Sequence, residues 1–317
     1  MAHTDSNLHV VLGSGPAGTA LATELARRGH PVRLVDRTAT GAAIAGVDRM
    51  KGDVSTHEGA AAALQGADVV YHCVNVAYHL QLDVMPRIQR AVLGAVEEAG
   101  ARLVVLDTLY PYGTTHGDAM TEDTPWRATS LKGRMRAELD EKYLAAHREG
   151  RASVVLGRSA DFVGPGVMNS TLGAAVFPGA LTGDEVLTLG DIDLPHSYTD
   201  IRAVAAGLAT LGESPRGDGR VWHLPTAPAL TTREVLGMIE ERVGRPLKVV
   251  TLDEPRPFGP FDQVFMDAYA EMFYQHTEPQ IMLSGAFEAA FGATPIAMAD
   301  TLDDTLGWYR SLLAHRA

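Results

Sequence analysis

Three glycines carry the clearest chemistry in the chain. In VVLGSGPAGTALATELARRG, Gly13, Gly15 and Gly18 have GxGxxG spacing, with Ser14, Pro16 and Ala17 between them. A strand-like run precedes them and a helical run follows. In that setting the first glycine permits a tight turn, the second lets backbone approach a pyrophosphate, and the third lets helix pack closely on strand. The helix N-terminus then offers N–H groups and a positive dipole to phosphates. Asp36 ends the next strand-like run, 18 residues after Gly18. A carboxylate there can take both ribose hydroxyls of an adenosine, which selects NAD. Arg37 beside it and nearby Arg33 can attract a 2′-phosphate, so NADP is the alternative.

A second group of reactive residue types lies in WRATSLKGRMRAE, residues 126–138. If the helix runs from residue 130, a rotation of about 100° per residue puts Lys132 on the apolar face with Met135, Leu139, Tyr143 and Ala146. Arg134 then points about 160° away. Arg134/Glu138 and Arg136/Asp140 read as i,i+4 pairs on a solvated face. Upstream, DTLYPYG places Thr108, Tyr110 and Tyr112 at the carboxyl end of a strand, the edge where open α/β sheets bind ligands. His196, in DIDLPHSYTD, is a candidate to face substrate. Met266, Tyr269, Met272 and Phe273 recur at helical spacing and read as core or pocket wall.

Composition narrows the partners. A net charge of −12 and a pI near 5.4 argue against general affinity for nucleic acid or anionic lipid, both of which need clustered Lys and Arg. Cys73 is the one cysteine, which excludes an internal disulfide framework and reads as a buried thiol. No HExxH or CxxC spacing occurs, so no metal site is expected. No run approaches the roughly 20 apolar residues that span a bilayer, and MAHTDSNLH lacks a signal-peptide plan. The expected setting is cytoplasmic and the expected partner a small molecule.

The elements that must position these groups alternate. Strand-like LHVVLGSG, PVRLVDR, GVDRMKGDV, ADVVYHCV and ARLVVLDTLY are separated by helical segments, and another helix to about residue 149 leads into ASVVLGRSADFVG. Repeated βαβ units predict an α/β fold, a Rossmann-type doubly wound parallel sheet. Residues 8–165, with about 190–226, are expected to form the nucleotide-binding domain. Residues 166–189 and 227–317 form a smaller, mostly helical substrate domain.

Several stretches together resemble the extended short-chain dehydrogenase/reductase superfamily, which contains the NAD-dependent epimerases and dehydratases. They are KGDVSTHEGAAAALQGADVVYHCVN, LVVLDTLYPYG and RSADFVGPG. The resemblance implies that Asp53 and Val54 flank the adenine, that Cys73, Val74 and Asn75 line the cofactor, and that Ser159, Ala160 and Asp161 lie near the nicotinamide. It places Thr108 at the family's hydroxyl position and implies a homodimer through the helix at 130–149. The family's YxxxK motif is missing. Anchored on Glu138, its tyrosine position falls on Ser130 and its lysine position on Arg134, as in atypical members; helical phase favours Lys132 instead. A serine is too weak an acid to replace the phenol, and an arginine does not exchange protons near neutral pH. Tyr110 is therefore the expected proton donor, with Thr108 on the substrate oxygen, Tyr112 near substrate, and Lys132 or Arg134 on the ribose. PHSY lacks the arginine of the sugar-nucleotide signature. The expected activity is an NAD(P)-dependent oxidoreductase acting on a small carbonyl or alcohol bound between the domains. An epimerase or dehydratase with tightly held NAD, and a non-catalytic dinucleotide sensor, are its rivals.

Overall fold

A computed structural model describes residues 7–259 and 261–315. The chain divides into two compact units. The first comprises residues up to 108, 134–158 and 204–224; the second comprises 109–133, 159–203 and 225 onward. Segments 109–133, 159–165 and 190–203, grouped by sequence with the nucleotide-binding half, thus fall in the second unit.

The first unit is built on strands β1 (His9–Leu12), β2 (Val32–Asp36), β3 (Val47–Lys51), β4 (Val69–His72), β5 (Arg102–Asp107) and β6 (Ser153–Arg158). Residues 221–223 add one more strand beside β6. All neighbours run parallel, in the order β3-β2-β1-β4-β5-β6 and then 221–223. Helices α1 (Pro16–Arg27), α2 (His57–Ala63), α3 (Gln81–Ala99) and α4 (Leu131–Arg148) provide the crossovers. β1 and β4 are buried along their whole length, the pattern of a sheet covered on both faces. α3 buries Met85, Ile88, Val92 and Val96 and ends on Gly100 in the left-handed region.

The second unit contains more strand than its sequence pattern predicts. β7 (Asp161–Val163), α5 (Phe177–Thr182), β8 (Glu185–Leu189), β9 (Pro195–His196) and β10 (Tyr198–Asp200) come first. After α6 (Ile201–Glu213) and β11 (Val221–His223) follow β12 (Leu230–Thr231), α7 (Thr232–Val243), β13 (Lys248–Leu252), α8 (Gln263–Tyr269), α9 (Gly285–Phe291) and α10 (Met298–Ala314). Three two-stranded ladders, β7/β10, β8/β13 and β9/β12, accompany the helices. β8 lies in a Gly- and Pro-rich stretch where strand periodicity is hard to read; its partner is β13, whose LKVVTL run is legible. Phe177, Leu236, Ile239, Leu302 and Tyr309 bring α5, α7 and α10 into one core. Among the described residues no helix is long and apolar enough to cross a membrane, and no group of His, Cys, Asp or Glu forms a metal cluster.

Candidate active site

In the first unit the glycine turn joins β1 to α1. Gly13 has φ +99°, and a Cβ on it would stand 3.1 Å from the carbonyl of Cys73. A Cβ on Gly18 would stand 1.8 Å from the Gly13 oxygen. Those two positions are closed to any side chain by neighbouring backbone. Gly15 faces open space, with nothing within 4 Å of its would-be Cβ. The turn is therefore tight where strand and helix meet and open where a pyrophosphate would lie. Pro16 opens α1 at its first turn, and Ala17 is buried beneath it.

Asp36 completes this site. Its Oδ1 accepts from Thr38 N, Ala39 N and Thr38 Oγ1 at 2.7, 2.7 and 2.8 Å. Ala39 takes φ +54° to turn its N–H inward. Burial opposes ionisation of Asp36, but donors from Thr38, Ser14 and Ala39 outweigh it and bring its pKa down to about 2. Oδ2 is buried and accepts no hydrogen bond, with Arg49 Nη1 at 3.7 Å. An ionised carboxylate with one oxygen saturated and the other buried but unpaired, beside a glycine cradle, fits the ribose of NAD. Arg37 is exposed. Arg33 is committed elsewhere: Nη1 donates to Ala63 O and Gln65 O at the C-terminal end of α2, so it does not reach for a 2′-phosphate.

Of the residues the resemblance assigns to the adenine side, Val54 is buried, and the exposed Asp53 spends Oδ1 on Ser55 N and Oγ at 3.0 and 2.7 Å. Cys73 and Val74 form the wall against Gly13. Burial pushes the Cys73 thiol up to about 12, so it stays protonated, as expected of a structural cysteine. Asn75 Oδ1 accepts from Val76 N, Gln81 Nε2 and Arg136 Nη2.

That last contact corrects the reading of α4. The exposed i,i+4 pair Arg136/Asp140 does not exist: Arg136 is 6% exposed and Asp140 2%. Arg136 Nη2 donates to Asn75 at 3.0 Å, and its Nε is buried without a hydrogen bond. Asp140 meets Arg158 Nη2 at 2.6 Å, and Arg158 Nε meets Asp107 at 2.6 Å. Arg134 is exposed. Ser130 precedes the helix and accepts from Gly133 N at 3.1 Å, which makes it the N-cap. Lys132, Met135, Leu139, Tyr143 and Ala146 are buried, as helical phase predicts. Two cations four residues apart on the buried face are thus Lys132 and Arg136, the spacing of YxxxK. That pair lies two residues C-terminal to the register anchored on Glu138.

In the second unit, the first turn of α4 is held by Glu271. Its carboxylate accepts from Leu131 N and Lys132 N at 2.5 and 3.3 Å and from Lys132 Nζ at 2.8 Å, and Lys132 Nζ also donates to Ala268 O at 2.7 Å. Residues 110–112 form a 3₁₀ turn that packs on this end of α4: a Cβ on Gly133 would lie 2.8 Å from Tyr110 O. Tyr110 is half-buried, as is Thr108 at the end of β5. Tyr112, expected at substrate, is 1% exposed and packs with Leu109, Met120, Ala160 and Met282, an apolar core position that leaves no surface for a ligand. Ser159 is buried and donates to Ala160 O. Asp161 and His196 meet, with His196 Nε2 3.2 Å from Asp161 Oδ2. Glu271, Arg136 and His276 escape sequence reasoning; only the YxxxK spacing read in another register points to Arg136.

The model of the NAD dependent epimerase/dehydratase family matches residues 10–224. The chain belongs to that family. Its members are NAD-dependent enzymes, and the fold agrees. The dTDP-glucose 4,6-dehydratase of Streptomyces venezuelae, solved with NAD and TYD, superposes with a TM-score of 0.81 at 20% identity, covering 97% of this chain and 98% of that one. An epimerase of Methanothermobacter thermautotrophicus gives 0.81 at 17% identity over 98% and 94%. The UDP-glucose 4-epimerase of Thermus thermophilus, in complex with NAD, gives 0.76 at 20% over 96% and 99%. No curated protein matches the chain in sequence.

Proposed function

We propose that this family member is an NAD-dependent oxidoreductase that oxidises a small secondary alcohol or reduces the matching carbonyl, with a Lys132/Arg136 pair where YxxxK stands in typical relatives. The observation that carries the reading is Asp36, ionised and offering only Oδ2, beside a glycine turn open at Gly15. Bound there, NAD would supply hydride transfer to and from the carbinol carbon. Asp36 holds the adenosine ribose and Arg136, buried beside Asn75, donates toward the second ribose. Two of the three Lys132 N–H groups are used by Glu271 and Ala268, which leaves one to donate to a substrate oxygen. Tyr110, on the turn packed against that end of α4, carries the proton.

Calorimetric titration tests the cofactor half: NAD binds, and Asp36→Ala weakens it by about tenfold or more, the loss of a charged hydrogen bond. Equal affinity in the variant rejects the assignment. Assay of NADH formation over a panel of alcohols tests the chemistry, and an unchanged rate in Tyr110→Phe removes the phenol from it. The neighbours solved with NAD and sugar nucleotides favour a second reading, in which the hydride returns to the same substrate. Protein purified with NAD bound and no net cofactor consumption selects that reading.

A further inference from the structure

The second unit holds a cluster of titratable groups that neither Lys132 nor the dinucleotide turn uses. Asp161 stands on β7. Its Oδ2 accepts from His196 Nε2 at 3.2 Å and from Thr171 Oγ1 at 3.1 Å. The His196 ring lies 4.7 Å from that of Tyr198 and stacks on His276 at 6.0 Å with planes 7° apart. His276 Nε2 in turn meets Tyr269 Oη at 2.7 Å. Burial, reinforced by the charge of His196, pushes the His276 pKa down to about 4, so His276 is neutral near pH 7. Burial opposes ionisation of Asp161, but the His196 hydrogen bond and charge, His276 and Thr171 hold its carboxyl below the usual carboxylate range.

Two features separate this carboxylate from a structural ion pair. Both of its hydrogen bonds fall on Oδ2, and 31% of its side chain remains exposed while that of His196 is 10% exposed. Oδ1 therefore belongs to a carboxylate fixed through Oδ2, carries neither of those hydrogen bonds, and sits on a side chain that is partly exposed. Such an atom pairs with donors alone. A phosphate brings only acceptor oxygens and a like charge, and among the described residues no Lys or Arg donates to Asp161 to offset it.

We propose that Asp161, positioned by His196, binds a hydrogen-bond-donor group of the substrate, a hydroxyl or an ammonium, and turns phosphate away from that position. The proposal deepens the reading of the chain as an alcohol- or carbonyl-converting enzyme, since it names the substrate class: polyhydroxy or amino-alcohol compounds whose phosphate, if any, lies elsewhere.

The test uses the full chain with labelled histidines, saturated with NAD, and follows the His196 NMR signals during titration with glucose, glucosamine and glucose 6-phosphate. Glucosamine and glucose are expected to move these signals, glucosamine at concentrations at least about fivefold lower than glucose 6-phosphate. A lead for glucosamine over glucose selects the ammonium, and equal responses select the hydroxyl. Asp161→Asn is expected to remove the ammonium preference. Read from the signals of His276, which stacks on residue 196, His196→Phe is expected to weaken binding severalfold, and His196→Gln, which keeps an N–H donor, to restore most of it. Tightest response to glucose 6-phosphate, no response to any probe, or an unchanged ranking in Asp161→Asn overturns the proposal. NAD affinity of the unsubstituted chain, measured without any sugar, separates this outcome from failure of the cofactor assignment.

Discussion

Arg158 and Arg136 are both buried arginines of the first unit, and they differ in what faces them. Arg158 donates at 2.6 Å to Asp107 and at 2.6 Å to Asp140, and all three side chains are at most 2% exposed. Burial, and then the charge of Asp107, push the Asp140 carboxyl well above its usual range, with Arg158 opposing that rise. Arg136 has only the neutral amide oxygen of Asn75, and its charge, after burial, helps push neighbouring His72 down to about 4. A buried cation faced by two carboxylates ties β5, β6 and α4 together, whereas a buried cation faced only by a neutral amide is costly to the fold.

The largest effect should come from breaking the closed cluster. Arg158→Met leaves a buried carboxylate without its cation and is expected to cost about 3–5 kcal/mol in urea denaturation. A cost below about 1 kcal/mol would erase the contrast with Arg136.

Acid comes next. His9, His72 and His276 have folded pKa values of about 4, burial being the main cause, against 6.5 when free. A depressed histidine lends stability that is complete above pH 6.5 and lost as pH falls toward 4. Asp140, whose folded pKa is raised, acts in the opposite sense, because the folded chain already carries that proton. Three histidine protons gained on unfolding make stability fall by up to about 4 kcal/mol per pH unit near pH 5, a slope that the raised carboxyls Asp140 and Asp218 reduce. Asp140→Asn removes one opposing group and should steepen the slope. A slope unchanged by that substitution would show Asp140 ionised, and measurement of stability at a series of pH values decides it.

Arg136→Met should do the reverse of Arg158→Met. Stability is expected to change by about 1 kcal/mol or less, while NAD affinity falls about tenfold and the His72 pKa rises. The smallest effect belongs to exposed Arg134: Arg134→Ala should leave both stability and NAD affinity within about twofold in calorimetry. If Arg134 weakens NAD and Arg136 does not, the register of the catalytic helix is the one anchored on Glu138.

Legibility in the sequence followed the range of the interactions. The glycine turn and Asp36 were readable because their geometry is made within one βαβ unit, and the inward face of Lys132 was readable because helical phase is local. Arg136 and Asp140 were misread for a related reason. Periodicity sorts charged side chains outward, and it has no means of knowing that Arg158 and Asn75 wait beneath them. Tyr112 was misread because a phenol at a strand's carboxyl end looks available until Met120 and Met282 close over it. Glu271 lies 139 residues from Lys132, and no local pattern links them.

By itself the sequence determined the alternating α/β order, the glycine turn between β1 and α1, the carboxylate that ends β2, and the absence of the YxxxK tyrosine. Each depends on residue types at fixed short spacing. Only the tertiary structure decided which cations of α4 are buried, which carboxylates are closed by arginine, and that Asp161 is backed by His196 with both hydrogen bonds on Oδ2. Those outcomes depend on which distant side chains share a buried volume, where desolvation and long-range pairing, rather than local propensity, fix charge and reach.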